Sequence, residues 1–186
     1  MKVTYILILF IMVVIAQVFI PVKMIWYSQE ALEHGVAYKF RTQPIDPTDP
    51  FRGKYITLRY DIDHFYTPDS TFVVGEEIYV YLKRDKEGFA EVTEVSKQPL
   101  ELANDFVTAR VTYFYNGKVN FQLPFYRFYM EESKAYDAEL AYRKVNRDTM
   151  VDNVYALVYV KGQDAVLKNV YINNIPIQEY VENEKK

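Results

Sequence analysis

Arg52 and Lys54 flank Gly53 in the stretch DPFRGKYITLRYDI (residues 49–62), and Tyr55 and Arg59 follow it at alternating positions. Two cations beside a glycine can hold an anion at an exposed corner, because backbone N–H groups and side-chain charges converge there. The plainer reading is a turn: glycine at positive φ lets the backbone bend into the next strand without a Cβ clash. We prefer the turn as the first role of Gly53 and keep docking as the second. Further on, Arg127 sits in FYRFYMEE among Phe125, Tyr126, Phe128 and Tyr129, close to Glu131 and Glu132. A guanidinium packed on rings and paired with a carboxylate is a common clamp. Arg52, Gly53, Tyr55, Arg59 and Arg127 form the candidate binding set.

Other chemistries find little support. Asp46 and Asp49 are spaced to share one hard cation, yet calcium needs more oxygen ligands, and Asp-Pro pairs are ordinary turn initiators. His34 and His64 are the two histidines and there is no cysteine, so no zinc site, thiolate nucleophile or disulfide is expected. We therefore expect no metal, no cofactor and no catalytic set. The alternative is a hydrolase. A membrane-tethered β-domain like a type I signal peptidase would use a serine nucleophile and a lysine base, here Ser28 and Lys83. Ser28, however, lies in YSQEAL without the Met and Pro context of such a nucleophile.

The elements that must position these residues begin with an anchor. MKVTYILILFIMVVIAQVFIPVKMIWY runs apolar from Tyr5 to Val22, broken only by Gln17. As a helix, Val3 to Ile25 measures roughly 34 Å at about 1.5 Å per residue, close to one hydrocarbon thickness. Trp26 and Tyr27 then fall where amphipathic rings favour the interface. The apolar run is too long, and Ala16 lacks small neighbours two positions away, for a cleaved signal peptide. Residues 1–27 are read as a signal anchor, 28–35 as a linker with Gly35 as helix stop, and membrane lipid as the first partner. Lys2 and the amino terminus favour a cytoplasmic start, so the body is expected outside the cytoplasm as a single-pass cell-membrane protein, although Lys23, Lys39 and Arg41 nearly balance that rule.

After Gly35 the pattern alternates. Ile56, Leu58, Tyr60 and Ile62 share one face, with Tyr55, Thr57 and Arg59 on the other; Tyr60 is expected as a core ring with a bonded hydroxyl. Ile78, Val80 and Leu82 oppose Tyr79 and Tyr81, and Val107, Ala109, Val111 and Tyr113 read as one buried row. Asn116-Gly117 is the strongest hairpin signal, and a second hairpin turns near Gly162. Its first strand, Val154 to Val160, is apolar on both faces and suits a central position. The stretch SKAYDAELAYRKVN predicts one helix capped by Ser133. The fold expected is mainly β: a single-pass N-terminal transmembrane helix, then one β-sandwich or barrel-like domain with one short helix over 36–177, and a flexible tail over 178–186. With a formal charge of −3 and no basic run, nucleic acid is a poor partner.

PIDPTDPFRGKYITLRYDI resembles the signature of the GDYXXLXY family, with Gly53, Tyr55, Leu58 and Tyr60 at the named positions. Pro44, Asp46-Pro47, Asp49 and Arg52 resemble the approach to that signature. GEEIYVYLKRDKEGFAEVTEVS, PFYRFYMEESKAYDAEL and VYALVYVKGQDAVLKNVYIN are similar to later segments, so the resemblance covers most of the chain. Lys54 departs from the aspartate usual in the family, which argues against an aspartate-dependent mechanism here. What the resemblance implies is a bacterial, membrane-anchored protein of undetermined function with an extracytoplasmic domain, in the frequent genomic company of multi-pass membrane proteins. It implies no reaction. The function expected is a non-catalytic interaction module or an accessory subunit of a multi-pass membrane protein.

Overall fold

The structure, a computed structural model, describes residues 2–42, 55–130, 138 and 153–184. Helix α1 (Lys2–His34) runs unbroken for 33 residues through Pro21, so the anchor and linker regions are one element. It is long and apolar enough to cross a membrane, and its side chains from Thr4 to Tyr27 are exposed. The helix stops where the glycine predicts. Gly35 N–H donates to the Ala31 carbonyl at 2.9 Å, and β1 (Val36–Arg41) starts at once.

Among the described residues ten further strands follow: β2 (Tyr55–Thr57), β3 (His64–Tyr66), β4 (Glu77–Arg84), β5 (Ala90–Ser96), β6 (Phe106–Tyr115), β7 (Lys118–Gln122), β8 (Arg127–Tyr129), β9 (Val154–Lys161), β10 (Asp164–Ile172) and β11 (Ile175–Pro176). They form sheets of order β1-β9-β10-β11, β3-β7-β6-β4-β5 and β2-β8. A parallel bridge between Lys39 and Phe89 joins the first two, with Lys39 N–H donating to the Gly88 carbonyl. The segment after β2 ties the rest together: Leu58 N–H reaches the Tyr126 carbonyl, Asp61 N–H reaches Arg41, and Phe121 N–H reaches Asp63. The result is a nearly closed, barrel-like sheet, the second of the two architectures expected.

The alternation forecast for residues 55–62 holds. Ile56, Leu58 and Tyr60 are buried, Ile62 packs beside them, and Thr57 and Arg59 are exposed. Tyr60 meets Phe40 and Phe125 edge-on at 5.6 and 5.4 Å, and its hydroxyl donates to the Phe125 carbonyl at 2.8 Å. That ring trio, completed by Phe40 against Phe125 at 4.9 Å, marks the centre of the core. Strand β9 is central, with β1 on one side and β10 on the other, as its two apolar faces require. Asn116 and Gly117 both take positive φ and close the β6–β7 hairpin.

Tyr113 departs from the expected buried row. Val111 pairs with Phe121 but Tyr113 pairs with Asn120, so Thr112 is an extra residue in β6. Such a bulge shifts the two-residue period by one position. Phe114 then turns inward toward Phe72, while Tyr113 and Tyr115 turn out to solvent.

The C-terminal residues also differ from the tail expected. Asn173 and Asn174, both at positive φ, turn β10 into β11, and α2 (Ile177–Glu184) follows. Ile177 and Val181 are buried and Tyr180 packs beside them, so one helical face lies against β10. The helix expected from Ser133 lies outside the described residues except for Ala138, which is helical and fully buried.

Candidate functional site: an arginine–tyrosine corner and the groove beside it

Strands β2 and β8 pair antiparallel, with Tyr55 opposite Tyr129 and Thr57 opposite Arg127. Because Ile56 and Phe128 fill the inward positions, the residues on either side of them must point outward. The Tyr55 and Tyr129 rings lie 5.4 Å apart. The Arg127 guanidinium stands 5.0 Å from the Tyr55 ring centre and 5.0 Å from that of Tyr126. A hydrogen bond to the Tyr129 side chain, more than any other influence, holds the Arg127 charge even more firmly than usual. An exposed cation thus sits among three phenol rings, an arrangement suited to gripping a carboxylate or stacking on a partner's side chains. The clamp expected at Arg127 is present in its aromatic half; Glu131 and Glu132 lie outside the described residues.

Arg59 stands apart from this corner. It lines a groove of about 450 Å³ together with Thr57, Asp63, Tyr113, Gln122 and Tyr126. Tyr126 joins the two places, under Arg127 on one side and in the groove wall on the other. A neighbouring hollow of about 400 Å³ shares Gln122 and Tyr126 and adds Glu77 and Arg110. The Asp63 carboxylate accepts a hydrogen bond from His64 Nδ1 at 2.8 Å. The structure therefore brings Tyr55 and Arg127 together and sets Arg59 in the adjoining groove. Arg52 and Gly53, with Lys54, Asp46 and Asp49, lie outside the described residues.

Three contributors are not apparent from the sequence. Tyr129 was noted only as a neighbour of Arg127, and its role depends on pairing with β2, which no local pattern reveals. Gln122 and Asn120 reach the groove from β7, where their outward alternation was the available signal. Of the hydrolase pair, Lys83 forms an ion pair with Glu91 at 2.9 Å, and among the described residues no hydrogen bond joins it to Ser28. No cluster of three or more His, Asp or Glu side chains suited to a metal occurs among the described residues.

An apolar helix running directly into a nearly closed β-barrel defines the class of protein. The family model described as GDYXXLXY protein matches residues 17–170, from the middle of α1 into β10, and the chain belongs to that family. No curated protein and no solved structure matches the chain.

Proposed function

We propose that this chain is a membrane-tethered, non-catalytic interaction module whose barrel lies outside the cytoplasm and serves as an accessory subunit of a multi-pass membrane protein. The observation that supports the reading is the outward-facing corner of exposed Arg127 and Tyr129 beside half-buried Tyr55, borne by a domain that packs directly on its apolar helix. Ala31 is fully buried at that junction, and Lys161 pairs with Glu30 across it. Such a junction presents the corner at a set height and direction relative to the helix, which suits recognition of a neighbour embedded in the same bilayer. Tyrosine and arginine are also the residues that most often dominate interface energetics.

Mild extraction of the full chain from its own membranes tests the idea. The protein should co-purify with a membrane partner in stoichiometric amount, and Arg127→Ala should reduce the partner recovered severalfold. Recovery of the wild-type chain as a solitary, monodisperse species would overturn it.

A further inference from the structure

The outer face of β3, β7 and β6 carries a second surface, which shares none of Tyr55, Arg127 and Tyr129. Cross-strand pairing puts Tyr66, Lys118 and Tyr115 in one row and His64, Asn120 and Tyr113 in the next. Tyr66, Tyr113 and Tyr115 are 67%, 57% and 68% exposed, unusual values for large rings on a packed sheet. The Tyr113 and Tyr115 rings lie within 21° of parallel, their centres 6.4 Å apart. Tyr113 and Asn120 are also walls of the groove that holds Arg59, Asp63 and Gln122. The bulge at Thr112 creates this continuity, since without it Tyr113 would point into the core.

We propose that the tyrosine platform and its groove bind a neutral chain of hexopyranose units. A pyranose ring has one face of polarised C–H groups, which packs on an aromatic ring, and a rim of hydroxyls that both donate and accept. Tyrosines at strand spacing supply the first; Asn120 and Gln122 (amides that donate and accept), Asp63 (an acceptor) and Arg59 (a donor) supply the second. The groove volume falls in the range that small ligands use. Charge argues against the other ligand that stacks on rows of rings. Single-stranded nucleic acid needs a cationic track for its phosphates, whereas here Lys118 and Arg59 are two separate cations, Asp63 offsets the second, and the chain carries −3.

Calorimetric titration of the full-length protein tests this in an amine-oxide detergent, chosen because its headgroup is not a sugar. The ligands are the β-1,4-linked hexamers of glucose and of N-acetylglucosamine, a six-thymidine oligonucleotide and an extended decapeptide. At least one sugar hexamer should bind. Tyr113→Ala should weaken it about tenfold, the scale of one lost ring contact, with Tyr113→Phe near wild type. Gln122→Ala should also weaken it, providing an exposed second site if Tyr113→Ala folds poorly, while Lys86→Ala, in the exposed turn after β4, should leave it unchanged. Failure of both hexamers to bind, indifference to both Tyr113→Ala and Gln122→Ala, or tighter binding of the oligonucleotide or peptide would overturn the proposal. Because Tyr113→Ala and Gln122→Ala spare the Arg127 corner, loss of sugar binding with normal partner recovery separates this surface from the docking function proposed above.

Discussion

The Arg127 guanidinium stands 5.0 Å from the Tyr55 ring, across a ladder that joins the family signature to a strand far along the chain. The pair stitches the shortest sheet of the barrel from outside. Arg127→Ala should therefore speed hydrogen exchange at Leu58, whose N–H bonds to the Tyr126 carbonyl at 2.8 Å. Arg127→Lys should restore little, since an ammonium lacks the planar fork that stacks between rings. Mass-spectrometric exchange of the peptide containing Leu58 reads both outcomes.

The ring trio sets the larger stability effects. Phe40 is fully buried between Tyr60 and Phe125, so Phe40→Ala should cost about 3–5 kcal/mol. Tyr60→Phe removes the hydrogen bond to the Phe125 carbonyl while keeping the ring, and should cost about 1 kcal/mol. Denaturant titration followed by circular dichroism gives both numbers, and a larger loss for Tyr60→Phe than for Phe40→Ala would contradict this packing.

Acid should loosen the β4–β5 turn first at Asp85. Its carboxylate accepts the Phe89 N–H and the Glu87 N–H, both at 2.8 Å, and the Phe89 bond does most to hold its pKa below the usual aspartate value. For a depressed carboxylate the stabilisation is complete above the unfolded pKa of about 3.9 and fades as pH falls through the lower folded value. The Glu87 and Phe89 amide resonances should shift in that acid window, and Asp85→Asn should flatten the response.

The absence of cysteine makes the orientation directly measurable. A single cysteine placed by Lys86→Cys in the exposed turn after β4 should react with a membrane-impermeant maleimide in intact cells. Labelling only after the cells are broken would put the barrel on the cytoplasmic side.

What could be read in advance divides along physical lines. Features set by neighbours in sequence were legible: the Gly35 stop, the Asn116-Gly117 turn, the inward row of Ile56, Leu58 and Tyr60, and the two-faced β9. Features set by one extra residue were not. Thr112 leaves composition and alternation nearly untouched, yet it reverses the face of every residue after it in β6, and only the partner strand reveals the slip. The meeting of Tyr55 with Arg127 and Tyr129 is likewise a fact of long-range pairing. Helix α2 was legible in principle from Ile177, Tyr180 and Val181 at helical spacing, but its charged end suggested a solvated tail. Asn173-Asn174 also carried an overlooked turn signal, since asparagine tolerates the left-handed region.

Gly35 has one more consequence. A Cβ at that position would lie 2.3 Å from the Ala31 carbonyl oxygen and 3.0 Å from that of Val160, so the passage from helix to barrel is as tight as a backbone allows. Gly35→Ala should open the junction to proteolysis while leaving the barrel folded. In the native chain no loop separates stem from head, so with the stem seated in a bilayer as proposed above, the slant of a single helix would set the compass bearing of both outer surfaces.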